Sequence, residues 1–282
     1  MHERCLVFEC RGDTLVGIVH EPVSLSRDIG VLIIVGGPQY RVGSHRQFVL
    51  LARGLAAAGY PVLRFDYRGM GDSSGESHNF EAVESDIAAA IDAMAEELPG
   101  LRGIIVFGLC DAASAALMYP AADTRVLGLI LANPWARTDG GEAQAYVQHY
   151  YGQRLLQRSF WTKLFSGGVD FRSSVRGLGS SLGRMLWGRA DSDRAPPSHF
   201  IERMLKGASC PDRPVLLLMS GRDLTAREFD NLCRKSPRWA RQMSAPNVHR
   251  VDLQAADHTF SNGASQECAT LTAIQWLKTL RH

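Results

Sequence analysis

Several features that would assign a function at once are missing from this 282-residue sequence. Its six cysteines form no C-x-x-C pair, which argues against a zinc knuckle or a thioredoxin-like redox site. Lys and Arg number 31 and Asp and Glu 29, so the net charge of +2 lacks the basic excess of nucleic-acid-binding domains. Its apolar runs are too short to span a bilayer. We therefore expect no metal, no nucleic-acid partner and no membrane insertion.

The first residues also lack a basic segment followed by a long apolar stretch, so we expect no secretory signal. A chain of this length can bury a sizeable core without disulfides. We therefore interpret the cysteines as free thiols in a reducing compartment and predict a cytoplasmic location.

What the sequence does contain is a series of short apolar runs separated by helix-like segments. Residues 6–8 and 14–19 flank a Gly-containing turn and predict an antiparallel hairpin. Further strands are predicted at residues 31–35, 61–65, 103–107, 126–131, 215–219 and 248–253. Capping boxes that start at Ser44 and Thr225 predict two helix starts. Strands that alternate with helices predict an α/β fold with a mostly parallel central sheet and flanking helices.

Residues 135–210 interrupt this alternation, since they contain aromatic residues at helical spacings and no convincing strand. We interpret them as an inserted helical lid on a core made of residues 1–134 and 211–282. Their eleven Arg and Lys residues outnumber their six Asp and Glu residues. Such a segment can attract an anionic substrate, although a solvated helix face explains any single arginine equally well.

The sharpest motif follows the strand predicted at residues 103–107. Residues 108–112 read GLCDA, and a helix-like segment of small residues comes next. A strand, a tight turn and a helix with a nucleophile at the tip form a nucleophile elbow, whose usual pattern is G-x-S-x-G. Cys110 stands in the place of the serine, where the helix N-terminus would favour its thiolate. The alternative is a buried cysteine that acts as a small apolar side chain.

Two residues at later strand ends complete a candidate catalytic triad. Asp223 follows the strand at residues 215–219, and His258 follows the strand at 248–253. The chain order nucleophile, acid, histidine is that of enzymes with this elbow. We predict that Asp223 orients His258, which takes the proton of Cys110. Taken singly, Asp223 also suits a helix cap and His258 a loop histidine.

Other acidic residues compete for these roles. Asp257 is a rival acid, but neighbouring residues rarely aim their side chains at each other, and Asp252 lies inside a predicted strand. The carboxylate of Asp111 beside the nucleophile has four interpretations. It would raise the pKa of Cys110, pair with a lid arginine, select a cationic acceptor, or simply be an acid that the helix dipole stabilises at the N-terminus.

The loop at residues 66–73 matches no phosphate-binding motif, and we interpret it as a tight turn that Asp66 and Arg68 tie to its neighbours.

An oxyanion hole needs two backbone N–H groups. We predict those of Asp111, just after the nucleophile, and Gly37, after the strand at residues 31–35, since Pro38 has no N–H to give. A simple Gly-Pro turn is the alternative for this loop. Candidate substrate-binding residues are Gln39, Arg41, Tyr150 and Trp161.

Taken together, these motifs resemble the α/β-hydrolase superfamily over the whole chain. More narrowly, residues 36–47 (GGPQYRVGSHRQ), 108–113 (GLCDAA) and 133–135 (NPW) resemble the exosortase A system-associated hydrolase 1 family. Its members accompany bacterial machinery for exopolysaccharide production and surface-protein sorting, together with acyl-activating and carrier components. The resemblance implies an α/β-hydrolase fold and a cytoplasmic bacterial enzyme. Val35 replaces a usual His and Ala112 a usual Gly, and neither change removes a backbone donor.

From the triad we predict an acyl hydrolase, an esterase or thioesterase, that forms a thioester acyl-enzyme on Cys110. A thioester also reacts with amines, alcohols and thiols, so acyl transfer is the close alternative. A non-catalytic, hydrolase-like binding protein is the alternative of another class. We expect no cofactor and a small-molecule or carrier-bound acyl substrate, with coenzyme A or an acyl carrier protein as the carrier.

Overall fold

The computed structural model describes residues 1–23, 27–37, 39–136 and 198–280. These residues form eight strands: β1 (His2–Cys10), β2 (Asp13–Glu21), β3 (Ile29–Ile34), β4 (Val62–Phe65), β5 (Gly103–Leu109), β6 (Val126–Ala132), β7 (Val215–Ser220) and β8 (Val248–Leu253). The same residues form seven α-helices: α1 (Gln47–Ala57), α2 (Glu84–Glu97), α3 (Asp111–Met118), α4 (Ser198–Ala208), α5 (Leu224–Lys235), α6 (Pro237–Met243) and α7 (Gly263–Leu277).

The strands form one sheet in the order β1-β2-β4-β3-β5-β6-β7-β8. The hairpin β1–β2 pairs antiparallel at one edge, and β2 pairs antiparallel with β4. Strands β3 to β8 are parallel to one another. The predicted mostly parallel sheet with a leading hairpin is confirmed. Because parallel strands end at one edge, the loops after β3, β5, β7 and β8 gather there.

Helices cover both faces of the sheet, which is why its inner strands are apolar on both sides. In β5, Ile104 and Val106 face one buried cluster, and Ile105 and Phe107 face the other. Helices α1 and α7 pack on the second cluster. Buried residues of α2, α3, α4, α5 and α6 pack on the first.

Both predicted capping boxes are wrong. The chain takes left-handed φ angles at His45 (41°) and Arg46 (63°), so α1 begins only at Gln47 and no side chain caps it. Helix α5 is capped by Asp223, two residues before Thr225. In each case a backbone turn upstream, which side-chain pattern alone does not reveal, sets the start.

Most of the predicted lid at residues 135–210 lies outside the described residues. The last part of this segment contains α4, which buries Phe200, Met204 and Leu205 in the first cluster, on one face of the sheet. Residues up to Ala136 and from Phe200 onward form one compact unit. Among the described helices, none combines the length and apolar character that a membrane crossing requires.

Candidate active site

Cys110 lies in the sharp turn between β5 and α3. Its φ of 63° and ψ of −124° are unusual for a residue with a side chain, and such strain clusters at functional sites. A Cβ on Gly108 would approach the backbone of Ala112 to 2.6 Å, so only glycine lets α3 pack this closely on β5. Cys110 remains partly exposed. The turn has the backbone geometry of a nucleophile elbow.

Asp223 and His258 meet at the same edge of the sheet. His258 Nδ1 and Asp223 Oδ2 are 2.9 Å apart. The buried Asp223 carboxylate also accepts the N–H groups of Thr225 and Ala226 at 3.2 and 3.1 Å, as the cap of α5. With its proton on Nδ1, a neutral His258 presents Nε2 as its basic nitrogen.

The two rival acids have other partners. Asp257 accepts hydrogen bonds from the N–H and hydroxyl of Ser261 in its own loop. Asp252 pairs with Arg250 at 2.7 Å. Asp223 is therefore the carboxylate that orients the imidazole in this structure.

Sequence reasoning missed a positioning role for Asn133, which follows β6. This fully buried residue has a φ of 47°. Its Nδ2 donates to Ser220 Oγ at 2.9 Å and to His258 O at 3.1 Å, and its Oδ1 accepts from Ser220 N at 2.8 Å. Asn133 thus ties the end of β7 to the His258 loop. The only sequence signal was its place in the NPW motif.

Of the two predicted oxyanion donors, the N–H of Gly37 already has a side-chain partner. Gly37 N–H donates to Asp111 Oδ2 at 2.8 Å, and Ala112 N–H donates to Asp111 Oδ1 at 3.0 Å. A Cβ on Gly36 would collide with Oδ1, so this glycine makes room for the carboxylate. The Asp111 side chain therefore occupies a donor that we predicted for a substrate oxygen.

The sequence matches a known protein family over most of its length. The sequence model described as "Alpha/beta hydrolase family" matches residues 31–271, which is most of the chain. The chain belongs to the alpha/beta hydrolase family. No curated protein matches the sequence.

This alpha/beta hydrolase is similar to several solved structures. The esterase Pf2001 of Pyrococcus furiosus has a TM-score of 0.66 at 17% identity, over 98% of this chain and 92% of that one. The esterase domain of a Rhodothermus marinus protein has a TM-score of 0.63 at 17% identity, over 99% and 98%. The haloalkane dehalogenase DatA of Agrobacterium tumefaciens has a TM-score of 0.62 at 18% identity, over 99% and 97%. Identities this low show a shared fold.

The surroundings of Cys110 favour its neutral thiol over the thiolate. Burial and the Asp111 charge raise the pKa of Cys110 well above its usual range, and Asp223 and Glu228 add smaller effects in the same direction. A hydrogen bond with the Asp111 backbone lowers the pKa of Cys110 but does not outweigh them. The expected stabilisation of a thiolate by the helix N-terminus is therefore overcome, and a base has to take the proton.

Of the candidate substrate-binding residues, Arg41 pairs with the carboxylates of Asp66 and Asp72. Its side chain is only 14% exposed, and these contacts give it a structural role in the loop and no support for substrate binding. Gln39 Oε1 accepts from Ser44 N at 3.3 Å. Tyr150 and Trp161 lie outside the described residues, so their roles stay predictions.

The loop that begins at Asp66 has the structural role predicted for it. Asp66 accepts the N–H of Arg41 at 2.6 Å. Arg68 pairs with the buried Asp86 through two side-chain hydrogen bonds of 3.0 and 2.9 Å. No cluster of three or more potential metal ligands occurs within the part of the chain that the structure describes.

Proposed function

We propose that this alpha/beta hydrolase is an acyl hydrolase that cleaves esters or thioesters with Cys110, His258 and Asp223. The observation that carries the proposal is the 2.9 Å hydrogen bond between His258 Nδ1 and Asp223 Oδ2, at the sheet edge where the strained turn holds Cys110. Esterases among the structural neighbours support the reaction class.

The proposed reaction begins with the protonated thiol. His258 Nε2 takes the proton of Cys110 as Sγ bonds to the acyl carbon, and the N–H groups of Asp111 and Gly37 donate to the oxyanion. Collapse breaks the bond to the leaving group, which departs with the proton from His258. Water then attacks the thioester as His258 takes its proton. Collapse of this second intermediate breaks the bond between Sγ and the acyl carbon, releases a carboxylic acid and returns the proton from His258 to Sγ.

Acyl transfer as an alternative to hydrolysis, and the carrier of the acyl group, are further parts of the proposal. An acyl thioester on Cys110 reacts with amines, alcohols and thiols as well as with water, so acyl transfer uses the same intermediate. The resemblance of residues 36–47, 108–113 and 133–135 to the exosortase A system-associated hydrolase 1 family implies a cytoplasmic bacterial enzyme. The excess of Arg and Lys in residues 135–210 supports an anionic acyl carrier such as coenzyme A or an acyl carrier protein.

Peptide mass spectrometry after reaction with S-phenyl thioacetate tests the triad. We expect one acetyl group on Cys110, and we expect Cys110→Ala to abolish it and His258→Ala to slow its formation by about 100-fold or more. Cys233 provides a matched control, since burial raises its pKa to about 12 yet it lies outside the site. Cys233→Ala should react like the wild type.

The products distinguish the alternatives. Acetate alone, with added amines and alcohols left unmodified, supports hydrolysis, whereas acetylated acceptor supports transfer. Equal labelling of every cysteine, independent of His258, would contradict the enzyme proposal and favour a binding protein.

A further inference from the structure

The carboxylate of Asp111 occupies the place where the proposed reaction builds up negative charge. It holds the Gly37 N–H at 2.8 Å, which is one of the two donors that a reaction oxyanion needs. Two negative charges on one donor repel each other strongly, and an Asp111 oxygen that keeps this N–H, charged or neutral, leaves none for the oxyanion. The Asp111 side chain therefore has to leave before a substrate carbonyl becomes a tetrahedral intermediate.

A displaced carboxylate needs another hydrogen-bond donor, because burial penalises its charge. Burial already raises the pKa of Asp111, against the lowering effect of the N–H groups of Gly37 and Ala112. Taking it away from these donors without a replacement would cost still more. A second position is thus accessible only where another donor is within reach.

Tyr67 carries a hydroxyl that can serve as such a donor. Its hydroxyl is buried and has no hydrogen-bond partner among the described residues, an arrangement that costs stability and calls for an explanation. Tyr67 follows β4, which neighbours β3, so it belongs to the sheet edge that carries Gly37 and Asp111. Burial raises the pKa of Tyr67, and the charges of Asp111 and, to a smaller extent, the buried Asp86 act in the same direction. Asp86 is already paired with Arg68, which leaves Asp111 as the carboxylate that can take up the hydroxyl.

We propose that the Asp111 carboxylate has two positions, one on the Gly37 N–H that closes the oxyanion hole and one on the Tyr67 hydroxyl that opens it. Asp111 and Tyr67 are then positioning residues for acylation of Cys110. The inference rests on the proposed function, because an oxyanion hole matters only for an acyl reaction.

Two reagents separate this effect from any change in the thiol itself. S-phenyl thioacetate acylates Cys110 through an oxyanion, whereas iodoacetamide alkylates it by displacement at a saturated carbon and needs no oxyanion hole. Both react with the thiolate, so the ratio of the two rate constants cancels changes in the pKa of Cys110. Rates at Cys110 are measured by peptide mass spectrometry for the full chain and each variant.

The variants give opposite expectations. Asp111→Ala removes the blocking group and should raise the acylation-to-alkylation ratio by about tenfold or more, since one oxyanion donor affects rates by about 100-fold. Asp111→Asn keeps an oxygen on Gly37 and should stay closer to the wild type. Tyr67→Phe removes only the second donor and should lower the ratio by about tenfold, with a melting temperature unchanged or higher.

A double mutant shows whether Tyr67 acts through Asp111. In the Asp111→Ala background, Tyr67→Phe should leave the ratio unchanged. The matched control is Tyr119→Phe, which also removes one tyrosine hydroxyl, here bonded to Asp123 at 2.8 Å away from the site. Its ratio should equal that of the wild type.

Three results would overturn the proposal: a ratio in Asp111→Ala no higher than in the wild type, a ratio unchanged by Tyr67→Phe, or an equal effect of Tyr67→Phe with and without Asp111. A different result is expected if the proposed acyl hydrolase function itself is wrong. In that case Cys110 reacts with iodoacetamide but is acylated in none of the proteins, Asp111→Ala included.

Discussion

Single residues at this site serve more than one purpose. Asp223 accepts two N–H groups of α5 and also the Nδ1 proton of His258. The two interpretations that its sequence position allowed, helix cap and partner of the histidine, therefore both hold. A carboxylate offers enough lone pairs for three donors, and the helix fixes its direction. The acid that orients the imidazole is thus held in place by the start of a helix.

Asn133 allows a test of positioning at the residue scale. Asn133→Ala leaves the N–H of Ser220 and the carbonyl of His258 without their partner, so the free energy of unfolding should fall by about 2 kcal/mol. Because the His258 loop also loses a restraint, acylation of Cys110 should slow by about tenfold or more. Urea unfolding and the rate with S-phenyl thioacetate measure the two effects.

Asn247 is the matched control for Asn133. Its Nδ2 donates to two backbone carbonyls, Cys210 O at 3.0 Å and Arg213 O at 2.9 Å. These residues precede β7 and β8, so they lie at the amino-terminal ends of the strands, away from the site. Asn247→Ala should therefore also reduce stability but leave acylation unchanged. Equal slowing by both substitutions would mean that Asn133 acts only through global stability.

At the scale of elements, strands were more predictable than helix starts. Continuous β-branched runs such as residues 31–35 fit only a strand covered on both faces, and β3 lies there. Helix starts depend on turns and other changes of backbone conformation just before the helix. The left-handed φ of Arg46 makes α1 begin later than the predicted cap at Ser44, and the extended Asp223 makes α5 begin earlier than the predicted cap at Thr225. Such turns are set by contacts across the fold, which a local pattern of Ser, Thr and Glu does not contain.

The junction between β2 and β4 buries an imidazole and a guanidinium together. Arg64 Nε donates to His20 Nε2 at 2.8 Å, and both side chains are buried. Burial and the Arg64 charge lower the pKa of His20 to about 4. In the unfolded chain an ordinary histidine titrates near about 6.5. Between about pH 4 and about pH 6.5 the unfolded chain binds more protons at His20 than the folded chain does. The junction therefore stabilises the fold fully above about pH 6.5 and progressively less as the pH falls towards 4.

His20→Gln tests this coupling of the junction to pH. Glutamine still offers Arg64 an oxygen acceptor but does not titrate. Between pH 7 and pH 5 the free energy of unfolding should fall by about 2 kcal/mol less in His20→Gln than in the wild type. Urea unfolding at the two pH values measures this difference. The exposed His78→Gln should behave like the wild type, and a pH dependence identical in all three proteins would contradict the role of His20.

For the whole molecule, the order of strands explains how much of the site was predictable. Residues that follow β5, β7 and β8 lie at one edge of the sheet because parallel strands end there, so chain order alone predicts that Cys110, Asp223 and His258 share that edge. The contact between the Asp111 carboxylate and the Gly37 N–H could not be predicted, because strand order places residues at an edge but does not say which atoms their side chains contact. Nor does any pattern reveal that the Tyr67 hydroxyl lacks a partner within the part of the chain that the structure describes.

Charge is distributed unevenly along the chain, and this allows a test on the scale of the molecule. Residues 135–210 contain eleven Arg and Lys against six Asp and Glu, although the whole chain is only +2. If they attract an anionic carrier, kcat/KM for acetyl-coenzyme A should fall several-fold as salt rises from about 0.01 to 1 M, because the Debye length shrinks from about 30 to 3 Å. S-acetyl-N-acetylcysteamine carries the same thioester without phosphates and should show little change. Arg154→Glu with Arg158→Glu should weaken the salt dependence for acetyl-coenzyme A alone. Equal salt dependence for both thioesters would exclude electrostatic recognition of the carrier and leave the acyl group as the part of the substrate that this hydrolase recognises.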